Sequence, residues 1–314
     1  MQHHDGWRTW AIGLAFAVGS MLVPSISNAL LVGISPLATS PTFIATHGLV
    51  LAAIGAIPDR TLPTDVAAGS GKADREAWLL IVRVAVGSVV SVYGSLFALN
   101  AIGLGRLAGL TAGATLLFGL RELRSGWGSR WVLIQCVSRV VSGLGICLIT
   151  HPWQSDPTQL TGALLALVSA ACTLNFTACM NRLTKKRMAQ AGSAKASVLA
   201  LPVLVAVAFW FEGTNWLTTP SVIVKSTIAG ALAGLTTSMV IATIKRFTPA
   251  AQGVVFTLRT PISATVGAVG VALGLLPVAQ RPTWTAAAGI CVVFLAALVA
   301  ARNGEAPGRY QLNR

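Results

Sequence analysis

Four side chains able to carry or exchange charge lie where the chain is otherwise apolar: His47, Arg83, Arg139 and Arg259. Arg259 is the deepest. It lies ten residues after Pro249 in a run that stays apolar to Pro277, roughly 15 Å along a helix. A cation near a bilayer midplane costs about 2.5–3.5 kcal/mol on insertion scales, so it must face a wet interior or a partner. Pro261 follows two residues later, removing a backbone donor and leaving a carbonyl free nearby. A guanidinium in such a place can hold a carboxylate through two parallel hydrogen bonds. Arg139 is the second candidate for that task. Arg83 stands near the end of its run, where its stem can snorkel to the interface. His47, with an unperturbed pKa of about 6.5, could change charge during a cycle, or serve as a neutral bridge to a facing helix. Asn28, Tyr93, Asn100, Asn175 and Thr257 add hydrogen-bonding groups that either glue helices together or touch a substrate. The candidate substrate-binding set is therefore Arg259, Arg139, His47, Tyr93, Asn28, Asn175 and Thr257.

Equally informative are the groups that are missing there. All nine Asp and Glu residues lie outside the apolar runs, so no paired carboxylates are available for acid–base work in the membrane. No H-E-x-x-H or G-x-S-x-G motif occurs, and an enzyme is not expected. The GSGK at 69–72 has the end of a phosphate-binding loop, but Val66 replaces its first glycine and Ala73 its magnesium-binding hydroxyl. The five cysteines all sit in apolar runs without C-x-x-C spacing and read as packing residues. No cofactor and no metal are expected.

These side chains must be positioned by membrane helices. The 314 residues are 54% hydrophobic and 10% charged, with mean hydropathy +0.72, whereas soluble domains carry about 25% charged residues. Ten apolar runs follow one another at 10–33, 40–57, 78–101, 104–120, 131–150, 160–181, 195–211, 221–244, 250–277 and 283–301. The first is too long for a signal-peptide core and is followed by nine like it, so it reads as a helix. The net charge of +14 reflects loop placement, not a nucleic-acid surface. Arg83, Arg139 and Arg259 lie deeper within runs, and Arg106, Lys225 and Arg281 at or close to one set of alternating run ends. Every other Lys and Arg falls on the opposite set or the tails. That bias places both termini in the cytoplasm of a cell (plasma or inner) membrane. Eight of the nine tryptophans, Trp216 among them, fall at run ends as an interfacial belt would.

The outer segment HPWQSDPTQ (151–159) divides the runs into five and five. Because five is odd, the second set starts on the opposite side, as in inverted-repeat transporters. The expected fold is all-α, a polytopic protein of ten transmembrane helices in two inverted five-helix repeats, 10–150 and 160–302. Glycines spaced by four (Gly109 and Gly113, Gly230 and Gly234, Gly270 and Gly274) suit close helix packing. Packing within the chain is the first use for them and a homodimer face the alternative.

The segment DPTQLTGALLALVSAACTLNFTACMNRL (156–183) resembles the opening of the second half of EamA-type proteins of the drug/metabolite transporter superfamily. The branch containing the threonine/homoserine exporters is the most similar. FALNAIGLG (97–105) is similar to that family's A-L-x-x-I-P-L-G, with Gly103 at the proline. IKRFTPAAQGVVFTLRTPISATVGAVGVALG (244–274) resembles its R-R-L-P-T segment and the helix after it, and RPTWTAAAGICVVFLAAL (281–298) its last span. Three of the family's glutamate sites read otherwise. Arg259 and Thr260 precede Pro261, Leu275 follows Gly274, and Thr236 to Val240 replace a Pro-Tyr-Ser-x-Glu pattern. The resemblance implies a secondary transporter that exports a small metabolite, an amino acid or other carboxylate being the natural cargo. The alternatives are a non-transporting or decayed membrane homologue and a drug efflux pump. An interior with Arg and no carboxylate disfavours cationic drugs.

Overall fold

The computed structural model describes residues 19, 22–56, 71–118, 130–150, 156–186, 188–246, 249–280 and 283–302. Among the described residues there is no strand. Residues 22–30 form α1, followed by α2 (Pro36–Ala56), α3 (Gly71–Ile102), α4 (Leu104–Phe118), α5 (Arg130–Thr150), α6 (Pro157–Lys185) and α7 (Ala189–Glu212). A single turn, α8 (Asn215–Thr218), leads to α9 (Pro220–Arg246), α10 (Pro249–Ala272) and α11 (Trp284–Arg302). Among the described residues five stretches are long and apolar enough to cross a bilayer: Pro36–Ala56, Arg75–Ile102, Pro157–Lys185, Ala189–Glu212 and Pro220–Ile241. The protein is an all-helical membrane protein over its described residues.

Several helix ends differ from the hydropathy boundaries, each for a local reason. The turn expected around 34–41 is mostly helix: α2 begins at Pro36 and runs through Pro41. Pro36 is tolerated at the first helical position, where the backbone N–H lacks a partner anyway, whereas Pro41, inside the helix, leaves the Leu37 carbonyl without its helical donor. Hydroxyls there bond back, Thr39 Oγ1 to the Ser35 carbonyl at 2.8 Å and Ser40 to that of Pro36. The run expected to reach Pro277 ends as helix at Ala272, because Gly274 takes the left-handed conformation (φ 69°) and a 3-10 turn, Val278–Gln280, follows. Gly103, between α3 and α4, has φ 82°, which explains a glycine where the resembled family has proline. Asp156 caps α6, its Oδ1 accepting from the Gln159 N–H at 2.7 Å with Pro157 in the first turn. Trp216 departs from the belt: it is buried, edge-on to Phe209 at 5.4 Å, whereas Trp210 and Trp284 are 84% and 88% exposed. Of the cysteines, Cys179 is buried while Cys147 and Cys291 are exposed.

Helix neighbours form a closed circuit. α9 packs on α2, α2 on α7, α7 on α3, α3 on α6, α6 on α4 and α4 on α10. α1 closes it: Ser27 donates to the Ala229 carbonyl of α9 at 2.9 Å, and the Ser25 and Ser263 hydroxyls of α1 and α10 meet at 2.6 Å. α5 and α11 pack on each other; both pack on α4, and α11 also on α10. Directions follow from paired residues. α3 and α6 are antiparallel, with Ser91 beside Ser169 and Glu76 beside Lys186. α2 and α9 are parallel, because Phe43 meets Gly230 and His47 meets Gly234. One apolar cluster, including Leu31, Leu99, Leu104, Ile149 and Ile290, ties α1, α3, α4, α5 and α11. Another, including Ile81, Val84, Met180, Leu183 and Ile241, ties α3, α6 and α9 at the end marked by Glu76.

Candidate functional site

His47 joins three helices. Its Nδ1 lies 3.0 Å from Ser197 Oγ on α7 and its Nε2 3.0 Å from Thr237 Oγ1 on α9. Glycines permit that reach. A Cβ on Gly48 would sit 2.7 Å from the Ser197 Cβ, and one on Gly230 would sit 2.4 Å from the Phe43 carbonyl oxygen. α2 is thus pressed against both neighbours by backbone contact. The hydroxyls assign the ring's proton. Ser197 donates to the Ser193 carbonyl at 3.2 Å, so its oxygen accepts from Nδ1–H, and Nε2 accepts from Thr237. His47 is a neutral imidazole with both nitrogens engaged.

All three residues face inward. His47 is two residues from the exposed Ala45 and Leu49, about half a turn round the helix. Ser197 stands likewise to Lys195 and Leu199, and Thr237 to Leu235. Beside them Gln190 Nε2 donates to Ser238 Oγ at 2.7 Å, a second polar link between α7 and α9.

Arg259 occupies the other side of the circuit. It shares a face of α10 with Ser263, one turn on, which bonds Ser25 of α1; the exposed stripe of α10 runs instead through Thr265, Val269 and Ala272. Thr260, next to it, is buried and donates to the Ala108 carbonyl of α4 at 3.4 Å. The Arg259 Nε is enclosed and has no hydrogen-bond partner among the described residues. Asn28, two residues from the exposed Ile26, also faces inward and is half-buried.

Two candidates sit elsewhere. Asn175 falls on the outward stripe of α6 with the exposed Leu164 and Val168, and accepts from the exposed Arg83 at 2.8 Å. That pair caps the outer seam between α3 and α6. Tyr93 shares a stripe with the exposed Val86, Val90 and Phe97 and reaches the Leu204 carbonyl of α7 at 3.5 Å. Asn100 accepts from the Gly33 N–H at 3.0 Å and donates to the Ile34 carbonyl at 2.9 Å, which fixes the turn after α1. The side chains of Arg139, on α5, and Thr257, on α10, lie outside the described residues. The structure therefore joins His47 to residues that polarity alone did not single out, Ser197 and Thr237. Their position opposite each helix's apolar stripe is the signal that finds them.

Among the described residues no three His, Cys, Asp or Glu side chains gather as metal ligands would. An apolar cleft of about 320 Å³ opens between the ends of α3 and α6, lined by Phe97, Ala101, Pro157, Thr161 and Leu165 among others. None of the candidate residues lines it.

No protein-family model matches the sequence, and no curated protein matches it. Solved structures do match. One, described only as a crystal structure of a protein, is 17% identical with a TM-score of 0.56, covering 94% of this chain and 99% of its own. At that identity the likeness is one of fold, and it extends over nearly the full length of both chains.

Proposed function

We propose that this protein is a secondary transporter that exports a small metabolite, an amino acid or related carboxylate, by alternating access between two inverted halves, 10–150 and 160–302. The observation that carries this reading is a pattern in the helix contacts. Let α1 to α5 exchange with α6, α7, α9, α10 and α11 in chain order. The contact of α3 with α6 then becomes that of α9 with α1, α2·α9 becomes α7·α3, α4·α6 becomes α10·α1, and α4·α5 becomes α10·α11. Each of these partners is present. The pairs α2·α7, α4·α10 and α5·α11 map onto themselves. Gly145 and Gly289 behave as residues beside such an axis would: a Cβ on either falls within 3.0 Å of the other's carbonyl oxygen. An inverted repeat of this kind supplies two equivalent packings, which is the basis of alternating access. The sequence resemblance to EamA-type exporters agrees, as does the Lys and Arg bias that puts both termini in the cytoplasm.

Counterflow in proteoliposomes tests the proposal. Vesicles preloaded with each member of an amino-acid and organic-acid panel should take up the labelled compound transiently and saturably for at least one member, with and without a pH gradient. Absence of counterflow across the panel, with protein correctly inserted, points to a membrane protein that does not transport these compounds.

A further inference from the structure

We infer that Arg259 is the seat of a ligand carboxylate, held between α1, α4 and α10; this rests on the carrier reading for its role but not for its chemistry. The argument starts from charge. There is no Asp or Glu between Glu212 and Glu305, between Asp5 and Asp59, or between Glu76 and Glu122. Those intervals contain the helices that pack on α10 among the described residues: α1, α4, α9 and α11. None of these four helices carries an acidic side chain over its described residues. Its Nε is enclosed and unbonded, although a guanidinium has five donors in a planar fork. Its face of α10 is the inward one, with the Ser25–Ser263 hydroxyl pair one turn away at 2.6 Å. Thr260 binds a backbone carbonyl of α4, and Pro261 leaves the carbonyl of residue 257 without its helical N–H partner.

Arg259 is half-buried with its Nε enclosed and unbonded, and a cation withdrawn from water without a partner is unfavourable for the folded protein, so the position makes sense when an anion arrives from outside the chain. The fork geometry fits a carboxylate with two parallel bonds. A single described cation at the site matches a single negative charge, which favours a carboxylate over a phosphate dianion. The carbonyl freed by Pro261 can serve the polar remainder of a small hydroxy or amino acid. Here the chain differs from a salt-bridged structural arginine, whose partner is built in.

The test uses the purified full chain in detergent. Its melting temperature is followed with sodium lactate, L-serine, sodium phosphate or tetramethylammonium chloride, against sodium chloride at matched ionic strength. Lactate or L-serine should raise the wild-type melting temperature, Arg259→Lys should keep part of that rise, and Arg259→Met should lose it. Without ligand, Arg259→Met should melt no lower than wild type, because a similar volume replaces an unpaired charge. Equal ligand shifts in Arg259→Met, or no shift with either carboxylate in the wild type, would overturn the assignment. So would a larger shift with phosphate than with either carboxylate, or a marked fall in melting temperature for Arg259→Met without ligand, the mark of a structural arginine. Counterflow of a neutral or cationic compound that survives Arg259→Met would leave the carrier standing and remove this site. Stabilisation by carboxylates without any counterflow would do the reverse.

Discussion

At His47 the chemistry available is set by what already occupies the ring. A histidine free to pick up a proton needs an acceptor for the second N–H, and here Nε2 takes a hydrogen from Thr237 while Nδ1 gives one to Ser197. Protonation would require the Thr237 hydroxyl to turn its own hydrogen elsewhere, so proton transfer and the α2–α9 contact are coupled. Interhelical bonds of this kind are worth about 0.6 kcal/mol on average in membranes and rarely exceed about 1.7. His47→Ala removes two of them and leaves a void, so a loss of roughly 1–3 kcal/mol is expected. Ser197→Ala and Thr237→Val should each cost less. Equilibrium unfolding in mixed micelles measures all three, and a His47→Ala protein as stable as wild type would show that the junction does not hold the helices together.

At the scale of helices, small residues decide who neighbours whom. Gly230 and Gly234 lie against the Phe43 and His47 carbonyls, so the α2–α9 seam is backbone on backbone. Gly230→Ala would force a Cβ to within 2.4 Å of an oxygen that cannot yield. A destabilisation of about 1–3 kcal/mol is expected, along with lengthening of the His47–Thr237 bond. Gly55→Ala is the control. There the nearest atom is Cγ of the flexible Gln190 at 3.3 Å, and the change should be slight. Thermal melts of the two variants side by side check this, and an equal response would mean that the seam adapts freely. Helix positions were legible in the sequence because hydropathy alone reports a 30 Å apolar requirement. Neighbours were not, because glycines spaced by four occur on several helices and say nothing about which partner they meet. Asn175 shows the same limit for a site residue. Its polarity left helix-to-helix glue and a substrate contact both open, and only the packing shows it sharing a face with Leu164 and Val168 and bonding Arg83 at the outer seam. Arg259 was legible because a lone cation in a long apolar run has few places to go.

For the molecule as a whole, the order of helix directions makes a statement about sides that can be tested without knowing a substrate. Glu76 and Lys186 meet at 2.6 Å where α3 begins and α6 ends. As an ion pair with side chains 55% and 26% exposed, this contact is screened by solvent and adds little to stability. Its value lies in marking one end of the bundle. Ser35 donates to Glu212 where α2 begins and α7 ends. α2 leads away from that contact, and α7 returns to it from the end bearing Lys186, so the two pairs mark opposite ends. In the proposed topology the Lys and Arg bias puts the first end in the cytoplasm. In a cysteine-free background, Glu76→Cys with Lys186→Cys should cross-link, and so should Ser35→Cys with Glu212→Cys. A membrane-impermeant maleimide applied to intact cells should block only the second pair, and applied to inverted vesicles only the first. Labelling of both pairs from one side would break the alternation of directions, and with it the inverted halves and alternating access proposed above.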